Sequence, residues 1–262
     1  MTPYDRRQSL LDILRKQPGL SVPELAVALD VSEGTVRNDL NALELQGLLT
    51  RVHGGAVLHQ QDQFQNNSFI RRYQQNAAVK HAIARQAATL VHDDASILLD
   101  ASSTAYYFAQ ALSKHQRLRV MTNGFEAARE LAQNTTNMVF LIGGIVDNGS
   151  SSVTGLLSEH IIEELHIQKA FLSCSGFSLE RGMTEVHLAE AQLKRKVIES
   201  SQELIALVDS SKFGMEDMTS FARPERISRL FTDHHLSVDW SDRLKQASIE
   251  FTICEEDTTP VN

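Results

Sequence analysis

Hydroxyl, acidic and glycine residues recur where apolar segments of the chain end, in positions that suit a small anionic ligand. Ser102, Ser103 and Thr104 follow an apolar run and open an amphipathic one, so their hydroxyls and backbone N–H groups would form an anion site at a helix N-terminus. Simple helix capping by Ser103 or Thr104 is the alternative. Similar positions are held by Asp100, Thr122, Asn123, Gly143, Gly144 and Lys212.

Three charged residues of the same region each have two interpretations. Glu190 and Lys194 are four residues apart on a predicted helix, a spacing that first of all predicts an ordinary intrahelical ion pair. A ligand-binding role is the alternative for both. Lys212 is either a second partner for a phosphate or hydroxyl group or a surface lysine after a strand.

A second set of residues, near the N-terminus, has side chains that suit DNA. Arg37 suits a guanine edge and Asn38 an adenine edge, whereas the hydroxyls of Ser32 and Thr35 suit phosphate. The segment that follows, within 48–58, would add a cation, a histidine and two glycines whose bare backbone could approach the sugar-phosphate chain. The predicted DNA-contacting residues are Ser21, Ser32, Glu33, Thr35, Arg37, Asn38, Asn41, Arg51, His53, Gly54 and Gly55.

The elements that must position this second set are three helices and a hairpin. The third helix has Ser32 as its expected N-cap and an apolar stripe at Val36, Leu40 and Leu43, opposite the polar residues. Two short β-like runs follow it within 48–58. Helix, helix, turn, helix and hairpin is the order of a winged helix-turn-helix, whose second motif helix enters the major groove. A small helical subdomain with an ordinary amphipathic third helix is the alternative.

Farther along the chain, apolar runs alternate with amphipathic segments. Six runs predict strands that are apolar on both faces: 96–100, 118–122, 138–142, 169–173, 203–209 and 227–233. The predicted helices between them include 104–113, 124–133 and 188–200. The predicted fold class is therefore α/β, with an N-terminal winged helix-turn-helix plus a larger Rossmann-like domain that has a mostly parallel sheet. Ligands bind outside the carboxyl ends of such strands.

Composition sets the predicted domain boundaries. A Gln- and Asn-rich tract at 59–76 predicts a linker, although Phe69, Ile70 and the Arg71-Arg72 pair suggest that part of it docks. The winged helix-turn-helix then occupies 1–58 and the larger domain 77–255. Residues 256–262 are predicted to be a tail.

Charge bounds the possible partners. The chain of 262 residues has a formal net charge of −8, which argues against nucleic acid, and its 42% hydrophobic content argues against disorder. Residues 1–58 alone hold six cations and seven anions. We therefore expect modest DNA affinity from each module and reliance on dimers or larger assemblies that read repeated half-sites.

Two cysteines, Cys174 and Cys254, lie in apolar stretches without a metal-like spacing, so neither a disulfide framework nor a zinc finger is predicted. No run of about 18 apolar residues is present in the sequence, and the first residues do not resemble a signal peptide. We expect a cytoplasmic protein with no cofactor, no metal site and no membrane partner.

Segment 3–58, with LAVALDVSEGTVRNDLNALELQGLLTRVHGGAV, resembles the N-terminal domain of DeoR-type (GlpR-like) bacterial transcriptional regulators. The motif Ser-x-x-Thr-Val-Arg followed by Arg-x-His-Gly-Gly-Ala carries the resemblance. One departure is Asn38, where the family commonly has a second Arg. The resemblance implies operator binding by this domain, and Asn38 predicts weaker electrostatic binding or a different preferred base.

Residues 77–250 resemble the sensor domain of the same regulators, which is similar in fold to ribose-5-phosphate isomerase. The matching elements are Lys80-x-x-Ile83-Ala84, Asp100-x-Ser-Ser-Thr104, Thr122-Asn123, Gly143-Gly144, Gly182-x-Thr184, Glu190-x-x-x-Lys194 and Asp209-x-Ser-Lys212-Phe-Gly. The resemblance implies that these positions line a site for a phosphorylated sugar or related metabolite. Ser102 stands where the family commonly has Gly; if that position needs a positive φ or a close backbone approach, Ser102 would strain the loop or narrow the pocket.

The resemblance as a whole implies a homodimeric or homotetrameric repressor of a sugar or carbohydrate catabolic operon that a phosphorylated sugar releases from DNA. Two alternatives stay open. In an isomerase-like enzyme, Glu190, Lys194, Asp100 and Lys212 would be base and phosphate binders. The isomerase motifs Asp-Gly-x-Asp-Glu and Lys-Gly-Gly-Gly are absent from the sequence, however. In the other alternative, the sensor domain of a regulator only oligomerises.

Overall fold

The computed structural model describes residues 3–17, 19–45, 49–52, 55–58, 68–147 and 149–256. The chain divides into two compact units, Met1–Asn66 and Asn67–Asn262. One hydrophobic core lies in the first unit and two lie in the second, and the units are described separately below.

The N-terminal unit consists of three helices and a hairpin. The helices are α1 (Pro3–Lys16), α2 (Val22–Leu29) and α3 (Glu33–Leu45), and the antiparallel strands are β1 (Leu49–Val52) and β2 (Gly55–Leu58). Their apolar stripes meet in one core that includes Leu10, Leu14, Leu25, Leu40 and Leu49. The predicted winged helix-turn-helix is confirmed.

Polar side chains fix where α2 and α3 begin. The backbone N–H and the hydroxyl of Ser21 both donate to Glu24 Oε2, at 2.7 and 2.6 Å, and Pro23 lies in the first turn. Ser32 Oγ accepts a hydrogen bond from the backbone N–H of Thr35 at 3.1 Å. Ser32 is therefore the N-cap of α3, as the sequence predicts.

The predicted linker at 59–76 ends earlier than expected. Its last residues form α4 (Ser68–Gln74), which packs on the C-terminal unit; the earlier ones lie outside the described residues. Phe69 is buried, and the ring of Tyr73 stacks on Tyr107 with centroids 4.9 Å apart. The aromatic burial outweighs the polar composition of this tract, which is why composition misplaced the boundary.

The C-terminal unit continues as an alternation of helices and strands. The remaining helices are α5 (Ala77–Ala88), α6 (Ser103–Ala111), α7 (Phe125–Leu131), α8 (Leu156–Glu163), α9 (Leu188–Glu199) and α10 (Val238–Gln246). The strands are β3 (Ser96–Leu99), β4 (Arg119–Thr122), β5 (Met138–Leu141), β6 (Ile145–Asp147), β7 (Ser152–Thr154), β8 (Ile167–Leu172), β9 (Gly176–Ser178), β10 (Gly182–Glu185), β11 (Ser201–Leu207), β12 (Thr219–Ala222), β13 (Arg229–Asp233) and β14 (Phe251–Cys254).

Seven of these strands form the main sheet, in the order β14-β13-β11-β8-β3-β4-β5, and every neighbouring pair is parallel. From β3 the chain moves outward to β4 and β5, and from β8 it moves outward on the other side. The strand order therefore reverses between β3 and β8. In such sheets a ligand crevice is expected at the carboxyl ends of these two strands.

Alternate strand residues supply two cores, one on each face of the sheet. In β3, Ile97 and Leu99 belong to the core that α5, α6 and α7 cover. Leu98 points to the opposite core, which α8, α9 and α10 cover. The predicted layers of helix, sheet and helix are confirmed.

Sequence analysis did not predict three features: strand β14, the hairpin of β6 and β7, and a three-stranded antiparallel sheet in the order β12-β10-β9. Their strands are only three or four residues long, too short to show a clear period. Among the described residues, no helix has the length and apolarity that crossing a bilayer requires.

Candidate functional site

Helix α3 presents a polar face opposite its buried stripe. Val36, Leu40 and Leu43 are buried in the core of the N-terminal unit. Thr35 is half-buried, and its hydroxyl lies 2.9 Å from Ser32 Oγ. The predicted reading residues that are exposed are Ser32, Glu33, Arg37, Asn38 and Asn41. The exposed face thus has the residue types that sequence reading assigned to it.

The exposed cations of this face are already hydrogen-bonded within the unit. Arg37 Nη2 donates to Glu33 Oε2 at 2.7 Å. Arg51, on strand β1, makes two hydrogen bonds. Its guanidinium donates to Asn41 Oδ1, and its backbone N–H donates to Glu44 Oε1 at 2.8 Å. Exposed pairs of this kind contribute about 0–1 kcal/mol, so their exchange for DNA contacts costs little.

The glycines of the wing have a structural explanation that the sequence did not suggest. Gly55 is buried, and a Cβ built on it would lie 2.7 Å from the carbonyl oxygen of Leu20. Its bare backbone therefore allows β2 to approach the chain before α2, rather than exposing a surface for DNA. His53 and Gly54, the other predicted contacts here, lie outside the described residues.

Two arginines that precede α3 in the chain are committed to a buried carboxylate. Arg6 Nε donates to Asp39 Oδ2 at 2.5 Å, and Arg7 Nε donates to Asp39 Oδ1 at 3.0 Å. Burial alone would raise the pKa of Asp39, but the hydrogen bonds from both arginines lower it below its ordinary value. These two cations therefore support the fold of the DNA-reading unit.

A polar cleft lies where the strand order of the main sheet reverses. The turns after β3, β8 and β11 form it together with the segment that joins α4 to α5. Its lining consists of Arg72, Gln75, Asn76, Lys80, Ser102, Ser103, Thr104, Ser173, Cys174, Ser175, Glu185, Glu190, Lys194, Asp209 and Lys212. Six of the predicted effector-site residues are among them: Ser102, Ser103, Thr104, Glu190, Lys194 and Lys212.

A serine hydroxyl caps the first turn of α6, as the capping alternative predicts, but the capping residue differs from the predicted ones. Ser102, rather than Ser103 or Thr104, is the N-cap: its Oγ accepts from the backbone N–H of Ala105 at 3.0 Å. Its φ of −73° is ordinary extended backbone, so the residue is unstrained. The positive φ under which Ser102 would strain the loop is therefore not present, and the N-cap geometry suits Ser well.

Lys194 lies beneath the cleft and does not pair with Glu190. Its ammonium instead donates to Glu185 Oε2 at 2.7 Å and to Ser173 O at 2.9 Å, and lies 3.2 Å from Asp100 Oδ2. The predicted intrahelical pair is wrong, since burial of α9 places the ammonium between two other carboxylates. Burial alone would lower the pKa of Lys194, but Glu185 and Asp100 raise it above its ordinary value.

Glu185 is the counterpart of this lysine. Burial alone would raise its pKa, but Lys194 and the hydroxyl of Ser175 stabilise the carboxylate and lower the pKa to about 2. Asp100 also accepts hydrogen bonds from the backbone N–H groups of Ser102 and Ser173, at 3.0 and 2.8 Å. The cluster therefore ties the turn after β3 to the turn after β8.

Glu190 faces the cleft from α9 with a hydroxyl partner. Ser152 Oγ donates to Glu190 Oε1 at 2.9 Å, and Ser150 Oγ lies 2.6 Å from Ser152 Oγ. Glu190 is buried and, among the described residues, has no cation within salt-bridge range. A carboxylate so placed can accept hydrogen bonds from the hydroxyls of a polyol.

Four predicted effector-site residues have structural contacts outside the cleft lining. Thr122 Oγ1 accepts from the backbone N–H of Gly124 at 3.0 Å, and Asn123 Nδ2 donates to Val153 O at 3.2 Å. The carbonyl of Gly143 accepts from the hydroxyl of Ser158 at 2.6 Å. A Cβ at Gly144, whose φ is +157°, would lie 2.4 Å from Thr154 O. Asn123 and Gly144 thus lie against strand β7 of the hairpin, whereas Thr122 and Gly143 make contacts outside it.

Lys80 is a buried cation of the cleft. Its ammonium donates to the carbonyls of Arg72 and Gln75, at the end of α4. Burial lowers its pKa to about 8. Cys174 also lines the cleft, and burial raises the pKa of its thiol, so the group stays protonated.

A group with metal-ligand chemistry lies at the ends of β13 and β14. One ligand atom from each of His234, His235 and Glu256 falls within 4.8 Å of the others, and all three residues are exposed. No local spacing connects the two histidines with Glu256, the first residue of the predicted tail. Nothing else in the described residues points to an ion there, and the absence of a metal stays a prediction.

Known families match both units. Residues 6–62 match the DeoR-like helix-turn-helix domain, and residues 75–234 match the DeoR C terminal sensor domain. The chain belongs to the DeoR family of transcriptional regulators.

Curated relatives of this DeoR-family regulator match it over most of their length. The HTH-type transcriptional regulator GolR of Listeria innocua is 38% identical over 97% of this chain and 100% of its own. The L-fucose operon activator of Haemophilus influenzae is 36% identical, over 88% and 92% of the two chains. The lactose phosphotransferase system repressor of Streptococcus mutans is 32% identical, over 89% and 93%.

Among solved structures, ribose 5-phosphate isomerase A from Neisseria gonorrhoeae aligns with 51% of this chain and 52% of its own, at 18% identity and a TM-score of 0.38. A likeness of that size is too small to support an argument about the regulator.

Nine lining residues lie outside the predicted effector site, and the omission of five charged or amide residues among them can be explained. Lys80 and Asp209 belong to motifs that the family resemblance identifies, so that signal was present. Arg72 and Asn76 lie in the tract predicted as a linker, and Glu185 directly follows the motif Gly182-x-Thr184. Only the tertiary packing of α4 and of β10 brings these last three to the cleft.

Proposed function

We propose that this DeoR-family regulator represses a carbohydrate catabolic operon and is released from its operator by a phosphorylated sugar. Relatives named as regulators of fucose, lactose and glycerol 3-phosphate functions support the carbohydrate assignment. One of these relatives is named an activator, whereas five relatives are named repressors, and repression is proposed on that ground.

The observation that carries the effector proposal is the composition of the cleft. Its lining includes the N-terminal turn of α6, with Ser103 and Thr104, and Lys212, whose ammonium pairs with no carboxylate among the described residues. A helix N-terminus and a lysine are suited to a phosphate. Glu190 and Asn76, in the same lining, supply acceptors and donors for hydroxyl groups. A phosphorylated polyol would use both sets of groups.

The effector would act by binding two states of the regulator unequally. To release the operator it must prefer the state with low DNA affinity, typically by about 1–3 kcal/mol of coupling free energy. The regulator would bind its operator as a homodimer or homotetramer in the cytoplasm, so that several slightly acidic modules combine their affinities.

Thermal melting with a panel of sugar phosphates tests the effector proposal. We expect one phosphorylated sugar to raise the Tm, its unphosphorylated parent to have no effect, and Lys212→Ala to abolish the shift. Lys245→Ala, an exposed lysine on α10, is the matched control and should respond as the wild type does. No shift with any phosphorylated sugar would favour the alternative in which the unit only oligomerises.

Gel shifts at fixed salt test the DNA-reading assignment. We expect Arg37→Ala to weaken binding to the operator by about 1–3 kcal/mol and to relax sequence preference, since arginine reads base edges. Arg51→Ala should weaken binding to specific and scrambled duplexes alike. Equal, small effects of both changes would contradict the assignment of Arg37 as a base reader.

The enzyme alternative has less support. Of its candidate groups, Lys194 and Asp100 are buried and already paired with each other, and Lys194 also binds Glu185, which leaves neither free as a general base. Turnover of ribose 5-phosphate or a similar substrate by the pure protein, lost on Glu190→Gln, would nevertheless establish it.

A further inference from the structure

The two edges of the main sheet are protected very differently. Strand β14, at one edge, is flanked by Glu250, Glu255 and Glu256, and charged flanks discourage pairing with another chain. Strand β5, at the other edge, lies within 138–146, MVFLIGGIV, which contains no charged residue. No strand among the described residues pairs with the outer edge of β5.

The unprotected edge is part of a larger apolar face. Met138 and Phe140, two residues apart on β5, are about half exposed. The face continues through the hairpin, where Ile145 is 75% exposed, to the first turn of α8, where Leu157 is 69% exposed. Its large apolar members are Met138, Phe140, Leu141, Ile145, Val146, Leu156, Leu157 and Ile161.

Contacts within the unit hold these segments side by side. Ile145 pairs with Thr154 across the hairpin, and its side chain lies beside Gly155, which precedes α8. The hydroxyl of Ser158, in α8, donates to the carbonyl of Gly143, which follows β5. The apolar residues therefore form one surface, hereafter the β5 face.

We propose that the β5 face binds a second copy of this chain across a two-fold axis. An isologous contact brings the same patch of both copies together, and an apolar surface with a free strand edge is complementary to itself. A soluble monomer's largest apolar patch is typically about 300–600 Å². Eight large side chains, each 42–80% exposed, form a patch on the order of 800 Å², the area that each partner buries in a stable interface.

The β5 face also adjoins the cleft. The hairpin that presents Ile145 and Val146 also contains Ser152, which donates to Glu190 in the cleft. The turn of the same hairpin accepts a hydrogen bond from the backbone N–H of Phe69, in α4, at Gly149 O. Docking of a second copy would therefore bury one side of an element whose other side supports the cleft.

Sedimentation equilibrium of the full chain tests the proposal. We expect the wild type to have at least twice the monomer mass of 29.2 kDa at micromolar concentration. The double variant Ile145→Glu/Leu157→Glu should lose one step of assembly, with association weakened about thirty-fold or more. Val238→Glu, at a 78% exposed apolar residue of α10, is the matched control and should keep the wild-type mass.

A wild type that stays at 29.2 kDa, or a folded double variant whose mass equals that of the wild type, would overturn the proposal. If the double variant fails to fold, hydrogen exchange in the wild type decides. The outward amides of β5 should then exchange as slowly as those of interior strands, and the outward amides of β14 much faster. Fast hydrogen exchange of the outward amides of both β5 and β14 would also overturn the proposal.

Discussion

Each unit contains one buried ion cluster, and the two clusters have opposite construction. In the DNA-reading unit, the carboxylate of Asp39 binds two arginines, Arg6 and Arg7. In the C-terminal unit, the ammonium of Lys194 binds two carboxylates, those of Glu185 and Asp100. The first cluster is partly open, since the Arg7 side chain is 34% exposed, whereas no side chain of the second exceeds 8%.

The difference shows which charged side chains of each unit remain available to a ligand. The arginine cluster removes two of the six cations that residues 1–58 could offer to DNA, which leaves the exposed face of α3 and the wing to provide the contacts. The lysine cluster neutralises charge within the cleft wall, so that Arg72, Lys80 and Lys212 are the other cations of the cleft lining. Net charge alone therefore describes neither site.

Breaking the lysine cluster should have the largest effect. Lys194→Met leaves two carboxylates buried without their cation, and we expect the free energy of unfolding to fall by about 3–5 kcal/mol. Urea unfolding followed by circular dichroism measures this. Lys196→Met, on the same helix with its pairs at the surface, is the control and should cost less than about 1 kcal/mol. Similar losses in both variants would show that the buried cluster has no special role.

Acid should weaken the same cluster through Glu185. Its pKa is about 2 in the folded protein, below its ordinary value, so the stability that it contributes is complete above its unfolded pKa of about 4.5 and declines as the pH falls toward 2. The stability difference between the wild type and Glu185→Gln should therefore shrink between pH 5 and about 2. Chemical unfolding at several pH values measures it, and a constant difference would contradict the assignment.

The arginine cluster should be less critical because it is closer to solvent. Asp39→Asn keeps the shape of the side chain but removes its charge, and we expect a loss of about 1–2 kcal/mol of stability. Thermal melting of the N-terminal transition measures the change. Asp30→Asn is the control: Asp30 is exposed with a φ of 53°, a conformation that Asn also tolerates. A loss as large as that of Lys194→Met would remove the contrast between the clusters.

The same contrast marks what the sequence could predict. Period and capping predicted α3 and its exposed face, because local spacing determines both. Spacing also suggested a Glu190–Lys194 pair, and there it failed, since the partners of Lys194 are 9 and 94 residues away in the chain. Arg72 and Asn76 reach the cleft only because aromatic packing docks a tract whose composition resembles a linker. Local pattern indicated that part of this tract docks, but it did not indicate which side chains of the tract would meet the cleft.

The smallest expected effect concerns the loop that the lysine cluster supports. Ser102→Gly restores the residue common in the family, and since Gly is nearly as good an N-cap as Ser, we expect a loss of only a few tenths of a kcal/mol. Ser102→Ala should cost about 1 kcal/mol, because the backbone N–H of Ala105 loses its acceptor. Thermal melts of the two variants measure the difference. A stabilised Ser102→Gly protein would mean that the loop is strained after all, despite its ordinary φ, and that the cluster beneath it holds the strain in place.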